Sequence, residues 1–124
     1  MSDRFAKFRA QAWDDLAAAW AAFTSAINKI PGVVDVDGEA LEPENYSPEL
    51  FDWVLGDLRT DVQMHDLPHA HEVSGLIALI HSIHAHVRLM DGADGECFAR
   101  AETCRRLREE VERRAKTLVP RIAD

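Results

Sequence analysis

The sequence predicts an all-α protein: a single-domain, antiparallel four-helix bundle with a long acidic loop between its first and second helices. Three observations carry this. Apolar residues recur at steps of three and four in four separate stretches, the spacing that puts them on one helix face at about 100° per residue. The stretches are bounded by capping residues, proline or glycine. The chain has 124 residues, enough for one core and too few for two. Helices are expected over about 3–29, 48–64, 68–90 and 96–118, all within one domain spanning 1–124.

Ser2 is placed to cap the first helix. Phe5, Phe8, Ala12, Leu16, Ala19, Trp20, Phe23, Ile27 and Ile30 share its inward face, and Pro31-Gly32 stops it. Residues 31–47 are acidic and broken by Pro31, Gly32, Gly38 and Pro43, which reads as a loop. Its DVDGE run begins like a calcium loop. The glycine is fourth instead of sixth from Asp35, and the twelfth position is Tyr46 instead of glutamate, so the pattern fails.

Ser47-Pro48-Glu49 opens the second helix with a capping hydroxyl, a proline in the first turn and an acid near the positive helix end. Its core face is Leu50, Phe51, Val54, Leu55, Leu58 and Val62. Trp53 and Met64 fall on another flank, either under the acidic loop or in an apolar patch for a partner. Asp66 is expected to cap the third helix, with Pro68 in its first turn. The apolar sector of that helix is wide: Val73, Leu76, Ile77, Leu79, Ile80, Ile83, Val87 and Met90. That breadth predicts burial on more than one side.

The fourth helix should stop before Pro120. Cys97, Ala101, Cys104, Leu107, Val111, Ala115 and Leu118 form its core stripe. Phe98 lies off that stripe, toward the first helix or a partner. On the outside, Glu102–Arg106, Glu109–Arg113, Glu110–Arg114 and Glu112–Lys116 stand at the favourable i,i+4 spacing.

The charge of −8 is unevenly placed. Ile30 to Leu58 carries eight acids and no Lys or Arg, whereas Glu96 to Ala123 carries eight bases and five acids. The helical ion pairs absorb most of the latter, so nucleic acid is not the expected partner. The opening MSDRFAKFRAQAWDD mixes charge with apolar residues, unlike a signal peptide or membrane anchor, and a cytoplasmic location is expected. The two cysteines, Cys97 and Cys104, make no disulfide framework.

All six histidines lie between His65 and Met90. On a helical wheel His69 and His84 enter the apolar sector, His81 sits beside it, and His71 and His86 point away. Two groups follow. His65 and His69 meet at the corner between the second and third helices. His81, His84 and Cys104 converge if the third and fourth helices form a hairpin about residue 93. Three His and Cys ligands suit zinc or another transition metal. The plainer alternative is a core-edge His84 bonded to a neighbour, with Cys104 as a small apolar filler.

Two short motifs bear on known helical families. His65-x-x-x-His69 and His86-x-x-x-x-Asp91 resemble hemerythrin-like iron ligands, but Pro68 interrupts the first pair and the early histidine and HxxxE ligands are missing, so no site carries over. Arg59 and His65, with five residues between, resemble the spacing of HEPN ribonucleases, which implies a helical ribonuclease built on that pair. On one helix the two side chains point about 120° apart.

No nucleophile elbow and no glycine-rich phosphate loop is present. The expected function is therefore that of a small, acidic, non-catalytic interaction or regulatory protein, binding a protein partner or itself. The contact residues expected are Trp53 and Tyr46 with Asp35, Asp37, Glu39, Glu42 and Glu44, since aromatic anchors beside charges recur at interfaces.

Overall fold

A computed structural model describes residues 5–30, 47–64, 68–90 and 97–123. They form four helices: α1 (Ala6–Ile27), α2 (Pro48–Met64), α3 (Ala70–Leu89) and α4 (Cys97–Ala123). The protein is an all-α bundle in which α1 packs most extensively on α4, α3 on α4 and α1, and α2 on α3.

The periodic apolar faces make this core. Ala12, Leu16, Ala19, Trp20, Phe23, Ile27 and Ile30 of the first segment are buried, and Phe5 and Phe8 pack at its margin. From α4, Cys97, Ala101, Cys104, Val111, Ala115 and Leu118 are buried. The wide sector of α3 touches all three other helices, with Val73, Leu76, Ile77, Ile80, Ile83 and Met90 inside. A buried Leu or Ile side chain contributes about 1.5–3 kcal/mol relative to exposure, so these stripes hold the bundle together. Phe51 ties α2 to α1 through an edge-on contact with Trp20, ring centroids 5.2 Å apart. Phe98 meets the first helix at Phe8, centroids 5.5 Å apart and nearly perpendicular.

The start of α2 is as expected: the Leu50 amide donates to the Ser47 hydroxyl at 3.3 Å. The start of α3 is not. The helix begins at Ala70, and its N-cap is His69, in left-handed geometry (φ 61°) with no side-chain cap bond. Pro68 therefore precedes the helix instead of occupying its first turn. Asp66 lies outside the described residues, as do His65, Tyr46 and the acidic residues 31–46.

The end of α4 also differs. The helix continues through Pro120 to Ala123. Proline removes one backbone donor and crowds the preceding turn. Two tertiary contacts past it offset that cost: Ile122 packs against the core, and Arg121 reaches Glu72 of α3 at 3.2 Å. Leu50 is the third departure. It was expected in the core, yet it is exposed, because the face of α2 that meets α3 is centred on Phe51, Leu55 and Val62.

Candidate functional site

Asp52 of α2 is the hub of the polar contact between α2 and α3. Its Oδ1 lies 3.0 Å from His84 Nε2 and 3.8 Å from His81 Nε2, and its Oδ2 accepts from Arg88 Nη1 at 2.9 Å. The three partners sit at steps of three and four on α3, so one carboxylate can meet all of them. His84 is buried, and its ring stands edge-on to Phe51 with centroids 4.9 Å apart. Its approach to Asp52 is close but off the ideal hydrogen-bond direction, so the contact is electrostatic first. Burial holds the His84 imidazole below its ordinary value; Asp52 pulls the other way, and Arg88 and His81 add to the depression.

This cluster borders a groove of about 490 Å³ between the two helices, lined by Asp52, Arg59, Gln63, Ser74, His81 and Ser82 among others. Both oxygens of Asp52 already face cationic or imidazole groups, so the carboxylate is a fixed anchor rather than a free base. His81, with its side chain 61% exposed, is the one member of the cluster open to the groove as an imidazole.

The residues expected as metal ligands fall as follows. His81 and His84 do share a partner, and that partner is Asp52. Cys104 is turned instead toward the Ile83 carbonyl, its sulfur 3.9 Å away. Burial, with the nearby Asp15 charge, pushes the Cys104 thiol up to about 12. Among the described residues no group of three His, Cys, Asp or Glu side chains could hold a metal ion. His69 caps α3, while its expected companion His65 lies outside the described residues. The Arg59–His65 pair of the ribonuclease resemblance is likewise only half described: Arg59 is exposed on the groove.

Sequence reasoning placed His86 outside. It is half-buried against α4, where its Nδ1 lies 3.2 Å from Arg100 Nη1. Burial, then the Arg100 charge, keeps its imidazole below the ordinary range. It also missed Asp15, to which it assigned no place. Asp15 is 7% exposed and accepts from Arg108 Nε of α4 at 2.7 Å, while Arg108 Nη1 reaches Glu112 at 2.6 Å. The signal available was position: Asp15 follows Ala12 by three residues and Ala19 follows it by four, inside the apolar stripe.

The second feature of α2 faces away from the bundle. Leu50, Trp53 and Met64 are 57%, 66% and 75% exposed. With Asp57 and Thr60 they recur at steps of three, four, three and four, on the side of the helix opposite Phe51, Leu55 and Val62. Glu49 and Asp61 border this stripe, and both are exposed. Trp53 is thus where the sequence placed it, off the core.

No helix among the described residues is long and apolar enough to cross a membrane. Compared with protein families, with curated proteins and with solved structures, the chain finds no match in any of the three.

Proposed function

We propose that this protein is a non-catalytic interaction module whose docking face is the outer stripe of α2, and that its partner is a protein presenting a basic amphipathic helix. The observation that carries the reading is the stripe itself: Leu50, Trp53 and Met64 exposed in one line, with the acids Glu49, Asp57 and Asp61 beside them among the described residues. Large apolar side chains on one face, a tryptophan among them, have the composition of an interface hot spot. The acids select the partner: Glu49, Asp57 and Asp61 stand exposed beside the stripe, so a Lys/Arg-bordered apolar helix is complementary in both respects. The same charges argue against a symmetric dimer through this face, because a two-fold axis would set acid against acid.

The test is a photo-crosslinking residue at Thr60, within the stripe, compared with one at the exposed Arg106 of α4. The expected result is an adduct at position 60 alone, with a protein whose contact helix is basic and amphipathic. Trp53→Ala should lower its yield roughly tenfold, the scale of a hot-spot truncation, and added salt should lower it further. Equal adducts from both positions, or a yield indifferent to Trp53→Ala, would overturn the reading.

A further inference from the structure

We infer that the cleft between the first half of α3 and the last half of α4 binds the phosphate group of a small organic phosphate. The cleft encloses about 390 Å³, within the range of small-molecule sites, and its lining residues belong to neither the Asp52 groove cluster nor the α2 stripe, apart from Ser74 on its rim. Three guanidinium groups line it, those of Arg113, Arg114 and Arg121, with the Thr117 and Ser74 side chains beside them. The buried Leu76 and Leu118 form its apolar base.

The charge of the cleft is not cancelled internally. Glu110 receives both Arg113 and Arg114, and Glu72 receives Arg121 at 3.2 Å. Two carboxylates against three guanidiniums leave one positive charge, on a protein of net charge −8. Arg114 bonds Glu110 through Nε at 2.7 Å, and its Nη1 lies on the α3 side of the cleft, beside Gly75. A fork of N–H donors can engage two oxygens of a tetrahedral phosphate at once. The apolar base suits the organic body of the ligand.

Gly75 brings α3 close to this arginine: a Cβ there would stand 3.3 Å from Arg114 Nη1, so the guanidinium would have to give by a few tenths of an ångström. Glycine inside a helix is otherwise unfavourable by about 0.5–1 kcal/mol relative to alanine. Its presence at a helical position facing the arginine fits a site that needs close approach.

Isothermal titration with phenyl phosphate tests this, at fixed ionic strength. The wild-type protein should bind it, with inorganic phosphate competing for the same site. Arg114→Ala and Arg121→Ala should each weaken binding roughly tenfold or more, the loss of a charge-assisted hydrogen bond, whereas Arg106→Ala should not. Equal affinity in wild type and both arginine variants overturns the inference. So does a failure of inorganic phosphate to compete.

Discussion

His84 is a residue whose burial changes the ordinary chemistry of its side chain. An imidazole 1% exposed, packed on Phe51 and 3.0 Å from one carboxylate oxygen, is held neutral by burial despite that carboxylate. The consequence for stability has a definite sign. The unfolded chain takes up a proton near the ordinary 6.5, whereas the folded imidazole does so only at lower pH. Stability is therefore whole above about pH 6.5 and is lost as pH falls from there toward the folded value. His86, depressed by burial and Arg100, acts in the same direction. Urea midpoints should fall between pH 7 and 5 for the wild type, and the slope should be shallower in His84→Gln. Coincident slopes would show that His84 does not carry the linkage. The helical wheel put His84 in the apolar sector, but it could not supply Asp52: that pairing joins residues 32 apart in sequence, and only the packing of α2 on α3 brings them together. His69 was beyond sequence reasoning for a different reason. A left-handed, non-glycine cap is a local backbone strain that propensity argues against.

At the scale of elements, helix existence and inward faces were legible because burial follows the 3.6-residue period, which is written into the sequence. Helix ends and ion pairs were less so. Of the four i,i+4 pairs expected on α4, Glu110–Arg114 forms, at 2.7 Å. Glu112 turns instead to Arg108, and Glu102 to Arg105, because long side chains choose among several neighbours within reach. The exposed pairs contribute little. The Asp15–Arg108 pair is different, since Asp15 is buried in the α1–α4 contact, the most extensive in the bundle. Removing one partner from such a pair strands the other charge. Arg108→Ala should cost about 1–3 kcal/mol in urea unfolding, below the fully buried case because Arg108 retains some solvent. A joint Asp15→Leu, Arg108→Leu replacement should recover most of that loss. A single variant as stable as wild type would mean that Asp15 is adequately solvated without its arginine.

For the molecule as a whole, the anchoring of the four helices is unequal. α1, α3 and α4 pack on one another and share most of the buried residues, whereas α2 rests mainly on α3 and buries Phe51, Leu55 and Val62. What holds it besides these is the Asp52 cluster and the ring contacts of Phe51 with Trp20 and His84. An element with few buried apolar contacts opens at lower free energy than the global unfolding of the domain. Backbone amides of α2 should therefore exchange with deuterium faster than those of α1, α3 and α4, and through a separate local opening. Phe51→Ala should quicken exchange in α2 while leaving the other three helices close to their wild-type rates, since it removes a side chain that reaches both α1 and α3. The same inequality bears on the proposed docking face. A partner seated on the outer stripe of α2 would close the helix between two surfaces, so binding should slow α2 exchange selectively and leave α4 unchanged. Uniform exchange across all four helices in the free protein would instead make α2 an integral part of a single cooperative unit, and its exposed stripe a rigid surface already formed before any partner arrives.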